Sequence, residues 1–215
     1  MALVVGTNCG FVTEAPTSDP DGSGSTGMDG YSRAFKDVSP SGAVKITEIG
    51  WYCTQTTEEA NFEVGIYTHN VGDDNPEAVV GSLYQTNAKG TGAGWKTVTV
   101  DISITAETTY WIAVQLDAHS GATYIDVESD ATPERVDYKT SQTTLTSPWG
   151  VSGYQVDWIL PFYAVWEAAA VGTNMKINIG DVWKDVESMK INIGDAWKDV
   201  AEVKQNIGDA WKVVY

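Results

Sequence analysis

The sequence predicts an all-β protein: an antiparallel, jelly-roll-like β-sandwich followed by a three-copy tract of 14-residue β-hairpins. Three observations carry this expectation. Over residues 1–167 the apolar positions recur with period two, in short runs rich in Val, Ile, Thr, Tyr and Trp that are punctuated by Gly, Asp, Asn and Pro. No amphipathic helix of convincing length lies between those runs, which disfavours a parallel α/β arrangement. Residues 175–215 repeat themselves at a spacing of 14.

The clearest strand runs are Val44 to Cys53, Phe62 to Tyr67, Trp95 to Ile104, Tyr110 to Leu116, Thr123 to Val127 and Asp157 to Trp166. Trp51, Trp111 and Trp158 sit inside such runs and read as core residues. Thr13 to Gly30 is crowded with glycines and acids and reads as a long loop. Glu167 to Asn174 passes from small residues to turn formers, so residues 168–174 read as a linker between a body, residues 1–167, and the repeats, residues 175–215.

A chain of 215 residues suits one domain or two small ones, and it can bury roughly 70% of its extended surface. With 42% hydrophobic, 11% aromatic and 20% charged residues it is too apolar and too weakly charged for wholesale disorder. The formal net charge of −16 repels phosphate backbones and anionic headgroups, so nucleic acid and membrane surfaces are not expected partners. Nearly all of that charge, −15, belongs to residues 1–170. Met1 to Gly10 has no cationic start, and its apolar stretch Ala2 to Val5 is too short for a signal-peptide core or a membrane span, so synthesis in a cytoplasm is expected. Cys9 and Cys53 leave three readings open: buried thiols, one disulfide, or a redox pair.

The repeat copies begin at Met175, Met189 and Val203. If Gly180-Asp181 is a two-residue hairpin turn, with Gly supplying positive φ, the pairing is fixed: Ile179 opposite Val182, Asn178 opposite Trp183, Ile177 opposite Lys184 and Lys176 opposite Asp185. That register gathers Ile177 and Ile179 on one face and sets Trp183 on the other, and the later copies place Ile191, Ile193 and Trp197, then Ile207 and Trp211, in the equivalent positions. The same 14 residues are also two heptads, with a 4,3,4,3 apolar seam, so a coiled coil competes. Against it stand an interior Gly in every copy, costing about 1 kcal/mol each, and the Lys-Ile-Asn-Ile alternation. Either structure leaves an apolar face to cover, which makes the tract an expected assembly device, with packing inside one chain as the alternative.

The copies Met175 to Lys184, Met189 to Lys198 and Val203 to Lys212 resemble repeats that end many structural proteins of tailed bacteriophages. The body, through Ile46 to Tyr52, Val64 to Tyr67, Gly94 to Val100 and Thr109 to Val114, is similar to jelly-roll modules of such phage proteins and of extracellular glycan-binding proteins. The resemblance implies a non-enzymatic virion component: a fibre, tail appendage or capsid-surface protein. It would self-associate, with a trimer among the states allowed, or dock on other virion proteins, and contact with host-surface polysaccharide is a further implied role. A carbohydrate-binding module and a small glycosidase are the competing readings.

Motif searches add little chemistry. The sequence has no GxSxG, HExxH, P-loop or dinucleotide-binding pattern, and no cofactor or resident metal is expected. His119, flanked by Asp117 and Ser120, reads as part of a solvated loop. Asp19, Asp21 and Asp29 are reminiscent of a calcium loop but fail its spacing, with Gly30 where a bidentate Glu belongs. For ligand contact the candidates are Trp149 and Tyr154 in the loop Ser147 to Tyr154, where a flat ring pushed outward by Pro and Gly would stack on a sugar; Trp149 as a cap on the core is the competing reading.

Overall fold

The computed structural model describes residues 1–54, 62–86, 91–116, 123–151 and 153–169 and, beyond them, the strand backbones within residues 176–213. The chain divides into two compact units, Met1–Ala168 and Ala169–Tyr215. Among the described residues every regular element is a strand.

The first unit contains β1 (Gly10–Val12), β2 (Gly24–Gly27), β3 (Ser32–Val38), β4 (Ala43–Cys53), β5 (Phe62–Asn70), β6 (Asn75–Val79) and β7 (Tyr84–Thr86). These are followed by β8 (Gly94–Ser103), β9 (Thr109–Leu116), β10 (Tyr124–Ser129), β11 (Val136–Lys139), β12 (Tyr154–Val156), β13 (Trp158–Ile159) and β14 (Phe162–Ala168). One sheet has the order β1-β14-β4-β8 and the larger one β12-β11-β3-β9-β5-β6, with β7 also on β5; β13-β10-β2 form a small third sheet. The strands β3, β4, β5, β8 and β9 alternate between the two main sheets, with β6 and β7 staying beside β5, a jelly-roll-like course. Between those sheets lies the main core, with Ile46, Ile49, Trp51, Val98, Val100 and Phe162 from one side and Phe35, Phe62, Val64, Ile66, Ile112 and Val114 from the other. Strict alternation in β8, where Val98, Val100 and Ile102 point inward and Thr97, Thr99 and Asp101 outward, is the sequence pattern made visible.

The expected strand runs correspond to β4, β5, β8, β9, β10 and the β13–β14 segment, which breaks at Leu160-Pro161 because proline gives no ladder donor. Three features differ from expectation. Pairing is antiparallel except for β1, which lies parallel to β14. The supposed loop of residues 13–30 contains β2, whose backbone pairs with β10 despite its small side chains. Close approach permits this: at Gly22 a Cβ would stand 2.8 Å from the Val127 carbonyl oxygen. Trp51 is core as expected, but Trp111 is buried on the outer face of the larger sheet, and Trp158 is half-buried at the edge of the main core.

Cys9 and Cys53 are both buried and are not joined to each other, in keeping with the buried-thiol reading. Burial, reinforced by the nearby Asp37 carboxylate, pushes the Cys9 thiol well above its ordinary range, so it stays protonated.

In the second unit β15 (Lys176–Ile179) pairs with β16 (Val182–Asp185), β17 (Lys190–Ile193) with β18 (Ala196–Asp199) and β19 (Lys204–Ile207) with β20 (Ala210–Val213). The register is the expected one. Ile177 faces Lys184, Ile179 faces Val182 and Trp183 faces Asn178. Ile191, Ile193 and Trp197 face Lys198, Ala196 and Asn192, and Ile207 and Trp211 face Ala210 and Asn206. The coiled-coil alternative is therefore set aside in favour of hairpins. The turn positions, such as 180–181, and most of the linker lie outside the described residues.

Tight facing of β4 and β14 gives a stability test. A Cβ at Gly50 would fall 2.3 Å from the Tyr163 ring, which is itself held by its hydroxyl donating to Glu48 Oε1 at 2.5 Å. Gly50→Ala is expected to cost about 2 kcal/mol through overpacking, read as a lower denaturant midpoint with unchanged slope.

Candidate functional site

The larger sheet carries apolar side chains on its outer face as well, among the polar Lys36, Glu63, Gln115 and Asp137, and that apolar patch must also be covered. Ala34, Tyr67, Trp111 and Ala113 form a second core there with Leu145 and Trp149 from the loop after β11. Trp149 is only 2% exposed. Its indole Nε1 donates to Asp137 Oδ1 at 2.8 Å, its ring meets Tyr67 edge-on with centroids 5.2 Å apart, and the Lys139 ammonium lies 4.4 Å from its ring centre. Trp149 therefore has no free face for a sugar, and its assignment as a stacking residue is corrected: it is the anchor that closes the outer core. Lys139 in turn donates to the Trp149 carbonyl at 2.6 Å and to Thr146 Oγ1 at 2.9 Å, while burial lowers its pKa.

Tyr154 is 59% exposed and stacks on Tyr138, with centroids 5.1 Å apart and planes at 23°. It ends a row that includes Arg33, buried at 2% exposure with its guanidinium 4.6 Å from the Tyr31 ring and 4.8 Å from the Tyr138 ring. Arg33 Nη2 donates to Thr26 Oγ1 and to the Gly27 carbonyl, both at 2.9 Å, tying β2 to β3. Burial pulls the guanidinium pKa down to about 10, against a small opposing effect of the tyrosines. Tyr154 and Trp149 thus belong to different places: Tyr154 is the exposed end of a packed row, and Trp149 is interior.

What the Trp149 loop builds is a groove. Its wall residues Pro148, Gly150 and Val151 face the β5–β6 turn, with Asn70, Asp73 and Glu77 opposite, around a volume of about 620 Å³. The two walls are held together by the Trp149 amide donating to the Glu77 carbonyl at 2.7 Å. The turn is fixed from behind by Asp74, which accepts from Lys36 Nζ at 2.7 Å on both oxygens, while its carbonyl accepts from Gln155 Nε2 at 2.6 Å. His69 completes this support. The Trp111 indole donates to His69 Nδ1 at 3.2 Å, so in the neutral ring the proton sits on Nε2, 3.6 Å from Asp74. The hydrogen bond at Nδ1 makes His69 a structural strut.

The acidic loop does not gather its carboxylates. Asp29 Oδ2 accepts from the Thr123 amide at 2.6 Å, whereas Asp21 Oδ2 accepts from the amino group of Met1 at 3.1 Å. Among the described residues no group of three or more His, Cys, Asp and Glu is placed to hold a metal ion. Asp126 has a raised pKa through burial and through the neighbouring charges of Asp19 and Asp21. His119 lies outside the described residues.

The chain matches no family model, no curated protein and no solved structure. Function must therefore be argued from these sites. Sequence reasoning passed over Asn70 to Glu77, although a run of Asn, Gly, Asp and Pro between two strands is a usual signature of an exposed loop that carries contacts.

If Trp149 is an anchor, its conservative replacement must act on stability. Trp149→Phe removes the donor to Asp137 and is expected to cost about 2 kcal/mol, the scale of a hydrogen bond to a carboxylate. Thermal and denaturant unfolding of the variant would check it.

Proposed function

We propose that this chain is a non-enzymatic structural or accessory protein of a phage-type particle, in which the β-sandwich is the displayed body and the hairpin tract is the device that self-associates or docks. The observation that carries this reading is the tract itself: three hairpins of equal register that, among the described residues, each form a separate two-stranded sheet. A two-stranded hairpin is marginal in water, and both of its edges offer unpaired amides and carbonyls to another strand. Keeping the same register three times over makes sense where identical units pair or stack with identical units from other copies. The similarity of the repeats to those ending tailed-phage structural proteins supports the same conclusion, and the assembled particle is the location that goes with it.

The body supports the division of labour, because residues 1–168 form their own compact unit around their own core. Sedimentation of the full chain and of a truncation after Ala168 provides the test. The full chain is expected as an oligomer and the truncation as a folded monomer of unchanged melting temperature. A monomeric full chain would defeat self-association through the tract and leave only docking on another protein.

A further inference from the structure

We propose that the groove between the β5–β6 turn and the Trp149 loop is a binding site for a short neutral oligosaccharide. The proposal rests on the sandwich alone and is independent of the assembly role. The volume of about 620 Å³ is in the range of small-ligand pockets, roughly 300–1,000 Å³. Its chemistry is divided between two walls. The first wall is polar: the carboxylates of Asp73 and Glu77 only accept hydrogen bonds, and they lie beside the carboxamides of Asn70 and Asn75, of which Asn70 is already bonded within the turn. Sugar hydroxyls also do both, and two neighbouring hydroxyls on one ring match the two oxygens of a carboxylate. Pro148 and Val151, the latter 89% exposed, present hydrocarbon to the C–H face of a pyranose.

Charge selects within the sugars. Asp73 and Glu77 face the groove with no Lys, Arg or His among its described lining residues, in a body of net charge −15. A uronic or sialic acid would be repelled, whereas a neutral sugar uses the carboxylates as acceptors. A metal ion is the other ligand for acidic oxygens, and no cluster of three or more candidate ligand groups exists among the described residues.

The site is also preorganised, which lowers the ordering cost of binding. Asn70 Oδ1 accepts from the Gly72 amide at 2.9 Å and its Nδ2 donates to Asp73 Oδ2 at 3.1 Å, setting the turn. The opposite wall is fixed by buried Trp149 and by the hydrogen bond from its backbone N–H to the Glu77 carbonyl.

The test uses the full-length protein and a panel of trisaccharides, read by titration calorimetry and saturation-transfer NMR: maltotriose, cellotriose, laminaritriose, chitotriose and, as the charged control, trigalacturonic acid. At least one neutral member is expected to bind saturably, and the Asp73→Asn/Glu77→Gln double variant to bind it at least tenfold more weakly at an unchanged melting temperature. Val151→Arg, which fills the groove from an exposed position, is expected to weaken it similarly. Absence of saturable binding by every neutral trisaccharide, equal binding by the double variant, or preference for trigalacturonic acid would each overturn the proposal. Sedimentation of the same samples reports the oligomer separately, so failure here leaves the assembly reading standing, and the reverse also holds.

Discussion

The constraint on which the sandwich depends is that its larger sheet has apolar side chains to bury on both faces. An antiparallel sheet usually buries one face and wets the other, which gives the alternating pattern of β8. In β9, by contrast, every residue from Tyr110 to Leu116 is buried. Ile112 and Val114 close on the four-stranded sheet, while Trp111 and Ala113 need a second cover. The loop of Leu145 and Trp149 is that cover. Its position is dictated by burial, and the groove is the by-product: once Trp149 is driven inward, its neighbours Pro148, Gly150 and Val151 are left along the rim, opposite a turn that Asp74 already holds rigid.

Much of this was legible in the sequence, because the period-two runs are a direct record of which face of a strand is buried. β4, β5 and β8 follow from it, and the hairpin register of the tail follows from a turn glycine and cross-strand sorting alone. What escaped is what does not depend on side-chain pattern. β2, Gly-Ser-Thr-Gly, forms because β10 has an open edge and the chain there is narrow enough to approach it. The parallel contact of β1 with β14 is likewise a matter of where the chain end is carried.

Trp149 shows why an aromatic residue in a Pro- and Gly-rich loop is ambiguous. The same local sequence serves an outward platform or an inward plug, and the choice is made by an apolar patch contributed by strands far away in the chain. A doubly apolar β9 was the available sign that such a patch exists. The run Tyr110 to Leu116 has no alternation, whereas a half-wetted strand would have shown one. Tyr154 escapes this ambiguity only because it lies on the sheet's edge strand, where nothing further covers it.

The charge division between the two units bears on how copies can come together. The first 170 residues carry −15, and the remaining 45 carry −1. Bodies with that much like charge resist close packing against each other, but salt limits the repulsion to about 8 Å at physiological ionic strength. Nearly neutral tails have no such barrier, and each hairpin edge gains hydrogen bonds by pairing. On the proposed assembly role, association would meet less like-charge repulsion at the tail than at the body.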